Sequence, residues 1–136
     1  MTRIIASIVA SAVTMFGLAG LFTGVIARGF IRENVDPALL RNPPNLVLTF
    51  TGFLFLACLM AWAYRRFVPI VTSPARSGLQ LGIAFAVVWL MPYSVVLFSV
   101  YNFPYAALGI DMPWALVEQG LGGLVMALIQ GKRAHA

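Results

Sequence analysis

Four long apolar runs dominate this sequence and restrict what the chain can fold into. They cover residues 4–27, 46–64, 77–100 and 112–131, and none of them contains lysine or arginine. About 20 apolar residues in a helix are needed to cross the hydrocarbon core of a bilayer. A backbone in lipid must satisfy its own hydrogen bonds, and continuous apolar runs do not fit the alternation of a membrane β-strand. The sequence therefore predicts an all-α, four-helix transmembrane bundle.

The composition leaves no room for a separate soluble domain. Of the 136 residues, 61% are hydrophobic and 10% are charged, whereas soluble domains carry roughly 25% charged residues. We therefore expect residues 1–136 to form a single integral membrane domain with the lipid bilayer as its first partner. The net charge of +5 comes from basic residues at the ends of the runs. This distribution does not form the basic patch that nucleic-acid binding needs.

The basic residues also predict the orientation of the four spans. Six of the nine lysines and arginines lie at the N-terminus, in the second connection or at the C-terminus, which share one side of the membrane. The other three are Arg28, Arg32 and Arg41, all in the first connection. Positive residues concentrate on the cytoplasmic side. The sequence thus predicts that both termini are cytoplasmic.

Small residues in two of the runs predict close helix packing. Gly20 and Gly24 form a GxxxG pattern in the first run, and the fourth run is rich in glycine, including Gly120 and Gly123. Helices in lipid associate largely through close backbone approach at such residues. We predict that the first and fourth helices each offer a close-packing face. In the third run, Pro92 removes a backbone donor and predicts a kink, beside Tyr93 and Ser94.

Several kinds of chemistry are missing from the sequence. The single histidine, His135, lies outside all four runs, and the chain has only four acidic residues and one cysteine. A bis-histidine haem site is therefore excluded, and no phosphate-binding loop, HExxH or GxSxG motif is present. We expect no catalytic residues, no metal site and no cofactor, so the chain is not predicted to be an enzyme.

One carboxyl group interrupts the apolar runs and is the best site candidate. Glu118 lies seven residues after Asp111, which we expect to cap the fourth helix, so it is predicted about 10 Å below the helix start. An ionisable residue at such a depth usually faces the bundle interior or a wet cavity. Matching of depths predicts these polar neighbours around it: Thr23, Thr51, Tyr93, Ser94 and, directed toward another helix, Gln119.

Three interpretations of Glu118 remain open from the sequence. In the first, the carboxyl group is neutral, as burial favours, and donates a structural hydrogen bond. In the second, it reaches the outer interface and pairs with Arg28, Arg32 or Arg41. In the third, it binds a proton or a cation during a transport cycle.

The last third of the chain resembles a known type of protein. The connection "YNFPYAALG" is followed by "DMPW" and then by a glycine-rich helix that ends in "GK". This pattern resembles small bacterial four-helix membrane proteins that are grouped in domain-of-unknown-function families. The resemblance implies a four-helix fold in the bacterial inner membrane and carries no activity.

Two functions are consistent with these observations. The scarcity of ionisable residues favours a non-catalytic membrane protein that is a homo-oligomer or an accessory subunit of a membrane complex. The alternative is a small transporter or channel for a proton, a cation or a small solute, with Glu118 as the working residue.

Overall fold

Helices account for almost all of the structure, which is a computed structural model that describes residues 1–68 and 73–131. Within these ranges there is no β-strand. The α-helices are α1 Thr2–Leu21, α2 Arg28–Asn34, α3 Leu46–Phe67, α4 Pro74–Phe85, α5 Met91–Val100 and α6 Ala106–Gln130. Two π-helical turns, Phe22–Ile26 and Ala86–Leu90, extend α1 and join α4 to α5.

These segments make four continuous helices that are long and apolar enough to cross a membrane. They are Thr2–Ile26, Leu46–Phe67, Pro74–Val100 and Ala106–Gln130, and we refer to them as the first to fourth spans. The predicted all-α, four-helix bundle is therefore confirmed, and the chain has the layout of a multi-pass membrane protein. Three residues on which the predictions of orientation and of missing haem ligands depend lie outside the described residues: Lys132, Arg133 and His135.

The fourth span is the centre of the bundle. Its most apolar stretch is 44% buried, against 17–22% for the other three spans. It packs against α4 on one side and α1 on the other, while α3 packs mainly on α1. The central position is consistent with the sequence of this span, since its mean hydropathy of 1.4 is the lowest of the four. A helix with polar groups and glycines is better covered by protein than by lipid.

Close backbone contact joins the third and fourth spans. A methyl group at Gly82 would overlap the carbonyl oxygen of Gln119, and one at Gly123 would overlap the carbonyl oxygen of Gly78. Gly78 and Gly82 form a GxxxG pattern at the start of the third run, so the backbones of α4 and α6 meet along this strip. Such an approach gives the van der Waals contact that holds helices together in lipid.

The predicted GxxxG of the first span does not take part in close packing. Within the described part of the chain, no atom lies within 4 Å of the position that a Cβ would take at Gly20 or Gly24. On α1 the contact with α6 is made lower down, where Met15 packs against Gly122.

A π-helical turn, Ala86–Leu90, directly precedes the position at which Pro92 predicts a kink in the third span. The Met91 N–H donates to the Ala86 carbonyl five residues back, directly before Pro92. Proline has no N–H to offer to the preceding turn, and a wider turn is one way in which a helix accommodates it. The extra residue in this turn changes the direction in which Val88, Trp89 and Leu90 project.

The fourth helix begins earlier than the sequence predicts. It starts at Ala106 rather than near residue 112, and Tyr105 is its N-cap without a side-chain hydrogen bond. Asp111 therefore lies within the helix and does not cap it. In the first connection, the Asp36 carboxylate does accept a hydrogen bond from the Ala38 N–H at 2.9 Å, but it starts only a single 3-10 turn, Pro37–Leu39.

Candidate functional site

Glu118 lies at the midpoint of the fourth span. Twelve residues separate it from Ala106 and twelve from Gln130, the two ends of α6. At 1.5 Å per residue, the carboxyl-bearing position is about 18 Å from either end of the helix. The predicted depth of about 10 Å was too shallow because the helix start was placed at Asp111. Glu118 is 6% exposed and Gln119 is 1% exposed, so both side chains are buried at this level.

A large groove opens from this point toward the second and third spans. Its volume is about 1200 Å³, and its floor includes Asp111, Glu118 and Gln119. The groove exists because α3 packs mainly on α1 and makes little contact with α4 or α6. Its walls carry aromatic side chains from all four spans, among them Phe22, Phe53, Trp62, Phe85, Trp89 and Trp114.

Both π-helical turns border this groove. Phe22 and Thr23 of the first turn line it, and so do Val88, Trp89 and Leu90 of the second turn. A π-helical turn inserts one residue into an α-helix and is frequent at functional sites. Here the two turns direct side chains of the first and third spans toward the same space.

Several polar atoms of the groove are buried without a hydrogen bond. Gln119 Oε1 and Trp114 Nε1 have none among the residues that the structure describes. Glu118 also makes no hydrogen bond within residues 1–68 and 73–131, but its carboxyl oxygens are not among these fully buried atoms. Buried polar groups are nearly always satisfied in native structures.

Asp111 is the second acid of the groove, two helical turns from Glu118 on the same face of α6. The Ser94 hydroxyl donates to Asp111 Oδ2 at 3.3 Å. Between the two acids, the Trp114 ring stacks on Phe22 at a centroid distance of 5.1 Å and an interplanar angle of 15°. Trp114 therefore faces the bundle interior.

The predicted polar neighbours of Glu118 are found at other places. Ser94 is paired with Asp111, about 10 Å from Glu118 along the helix axis, because seven residues separate the two acids. Tyr93 is 50% exposed and stacks on Trp89 at 6.1 Å. Thr51 is exposed and its hydroxyl donates to the Val47 carbonyl at 2.8 Å, away from the groove.

Of the predicted set, Thr23 and Gln119 do line the groove with Glu118. The Thr23 hydroxyl donates to the Ala19 carbonyl of its own helix at 2.9 Å, so it does not contact the carboxyl group. The interpretation that pairs Glu118 with an arginine is wrong for the described residues, because no ion pair involves this carboxylate. Arg28, Arg32 and Arg41 are all exposed in the first connection.

Asp111 and the tryptophans are groove residues that were not predicted from the sequence. A seven-residue spacing of two acids puts both on one face of a helix. That signal was available once the helix was taken to start before residue 111. The positions of Trp62 and Trp89 had no such signal, because an aromatic residue near the end of a span is equally typical of an interface anchor.

Comparisons with known proteins do not assign a function to the groove. No protein-family model, no curated protein and no solved structure matches the chain.

Proposed function

We propose that this chain is a protomer of a small membrane transporter or channel, in which Glu118 binds the proton, cation or small solute that is moved. The observation that carries the proposal is the placement of Glu118. This carboxyl group lies at the middle of the central span, lines a large groove, and makes no hydrogen bond among the described residues. Intramembrane carboxyl groups in such places mark ion and substrate pathways.

The π-helical turns supply a means of movement. Alternating access requires an element with two arrangements on either side of the binding group. In the third span, the turn Ala86–Leu90 borders the groove and lies just before Pro92. The regular helical hydrogen bonding is already interrupted in this turn. A change in this turn would move Trp89 relative to Glu118 without unfolding either neighbouring helix.

The proposed protein works without catalysis and without a cofactor, in the bacterial inner membrane with both termini cytoplasmic. Its described residues contain no group of three His, Cys, Asp or Glu that could hold a metal ion. Four spans are few for a complete pathway, so the working unit is proposed to be a homo-oligomer. The resemblance of the C-terminal third to small bacterial membrane proteins supports the location.

Replacement of Glu118 by glutamine is expected to abolish transport. The substitution keeps the size of the side chain but removes the ionisable group. The measurement is the transient current of proteoliposomes on a solid-supported membrane after concentration jumps of H⁺, Na⁺, K⁺ or methylammonium. We expect a current for at least one of these ions with the unaltered protein, and none above protein-free liposomes with Glu118→Gln.

The matched control is Glu33→Gln, which removes an exposed acid of α2 outside the groove. This variant is expected to keep the full current. The proposal fails if Glu118→Gln gives the same current as Glu33→Gln. It fails too if the unaltered protein gives no current with any of the four cations and no flux of a larger organic amine.

A second candidate is an accessory subunit of a membrane complex, whose groove is filled by a helix of another chain. The exposed aromatic rim favours it, since Phe55, Trp62 and Trp89 are 61–68% exposed. A partner helix would cover these rings. The current measurement separates the two candidates, because an accessory subunit alone conducts nothing.

A further inference from the structure

The walls of the groove have a consistent chemical character. Eight of its lining residues are phenylalanine or tryptophan, and none of the described lining residues is lysine or arginine. The face of an aromatic ring attracts a cation, and the attraction is larger where water is excluded. The wall therefore favours an apolar molecule that carries a positive charge over an anion.

The floor of the groove offers hydrogen-bond acceptors at one level. Glu118 and Gln119 are adjacent and buried, and neither side-chain acceptor has a donor among the described residues. The Gln119 Oε1 is fully enclosed, so the carboxyl group of Glu118 is the acceptor that a ligand in the groove can reach. Asp111 lies two turns away on the same helix and accepts only the Ser94 hydroxyl. An unpaired buried acceptor costs free energy until a donor reaches it. A ligand that satisfies this floor must bring N–H or O–H groups as well as charge.

We propose that the ligand of the groove is an apolar organic ammonium ion, a protonated amine with at least one N–H group on an aromatic or aliphatic body. The ammonium group would donate to the carboxylate of Glu118, while the body lies against the Phe and Trp side chains. The volume of about 1200 Å³ exceeds the usual upper limit of roughly 1,000 Å³ for small-molecule pockets. A polycyclic body therefore fits. This inference rests on the proposed function and names its substrate class.

The tryptophans of the chain provide a direct measurement of occupancy. The chain has three of them, and Trp62, Trp89 and Trp114 all line the groove. The probe is 1-pyrenemethylamine, whose pyrene group accepts energy from excited tryptophan. The full chain is held in lipid nanodiscs, and 1-pyrenemethanol is the uncharged probe of matched shape. We expect saturable energy transfer with the amine, and only a linear rise with the alcohol as it partitions into lipid.

Two substitutions and one further probe locate the binding group. Glu118→Gln is expected to weaken binding of the amine about tenfold or more, since a charge-assisted hydrogen bond is lost. Glu33→Gln, outside the groove, should bind like the unaltered chain. The trimethylated probe, pyrenemethyl-trimethylammonium, keeps the charge but has no N–H and is expected to bind more weakly than the amine. Thermal unfolding of each variant establishes that the bundle is intact.

The inference is overturned if the alcohol saturates the signal as the amine does, or if folded Glu118→Gln binds the amine unchanged. Its failure is distinct from failure of the proposed function. If the currents depend on Glu118 but amine binding is not saturable, the proposed transporter function stands and the proposed ammonium ligand is rejected. If amine binding depends on Glu118 but neither current nor amine flux is found, the proposed ligand stands and the proposed transporter function is rejected.

Discussion

The Gly82→Ala variant is expected to lose about 1–3 kcal/mol of the free energy of unfolding, the usual cost of overpacking. The added methyl group would overlap the Gln119 carbonyl oxygen, which belongs to a backbone and cannot rotate away. The third and fourth spans must therefore separate locally, and the contact strip from Gly78 to Gly123 loosens. The measurement is unfolding of the purified protein in mixed micelles by increasing amounts of SDS, followed by tryptophan fluorescence.

The matched control for this prediction is Gly20→Ala in the first span. A methyl group there would meet no atom within 4 Å in the described part of the chain, and alanine is the better helix former by about 1 kcal/mol. This variant should be as stable as the unaltered protein or slightly more stable. Equal stability of Gly82→Ala and Gly20→Ala would contradict the close contact between α4 and α6.

The Glu118→Leu variant is expected to be at least as stable as the unaltered protein, with a gain on the order of 1 kcal/mol. Glu118 is 6% exposed, yet no hydrogen bond or ion pair joins it to another described residue. Leucine of similar size removes the buried polar group and breaks no contact. The same variant should carry no current in the proteoliposome measurement, so stability and activity are expected to change in opposite directions.

This substitution separates two interpretations of the same residue. If Glu118 were a structural group that donates a hydrogen bond to a carbonyl or hydroxyl, its removal would leave that acceptor unpaired and lower the stability by about 1–3 kcal/mol. Such a loss in the SDS titration would contradict a binding role. The matched control is Val117→Leu, an exposed neighbour on the lipid side of α6, which is expected to leave stability and current unchanged.

The spans themselves could be predicted from the sequence because their signal is local. Each run is apolar and long enough to cross lipid, and a helix is the structure that satisfies its backbone. The ends were less certain, because the residues between 101 and 111 are themselves largely apolar. The fourth helix extends back to Ala106, and this shift of six residues moved Glu118 from a shallow position to the middle of the span.

The packing could not be predicted in the same way. A GxxxG pattern marks a helix that can pack closely, but it does not say which neighbour it meets. Gly20 and Gly24 have the pattern and no close contact, whereas Gly78 and Gly82 have both. The difference depends on which spans become neighbours, and this is decided by the whole bundle.

The groove depends on features that have no clear sequence signal. It forms where α3 makes little contact with the third and fourth spans. The two π-helical turns contribute Phe22 and Trp89 to its walls. Pro92 signals that the third span is irregular, but it does not specify a π-helical turn. The residue Glu118 could be selected from the sequence, and its aromatic surroundings could not.

The groove is proposed to be open to the lipid and to end at the Glu118 carboxyl group. Chemical modification of that carboxyl group by an apolar reagent tests this most directly. The reagent is dicyclohexylcarbodiimide, an apolar molecule that adds to protonated carboxyl groups in membranes and forms a stable N-acylurea. Mass spectrometry of the modified peptide is expected to place the adduct on Glu118. An unmodified Glu118 in the folded protein, under conditions that modify a reference intramembrane carboxyl, would contradict an open groove that ends at this residue.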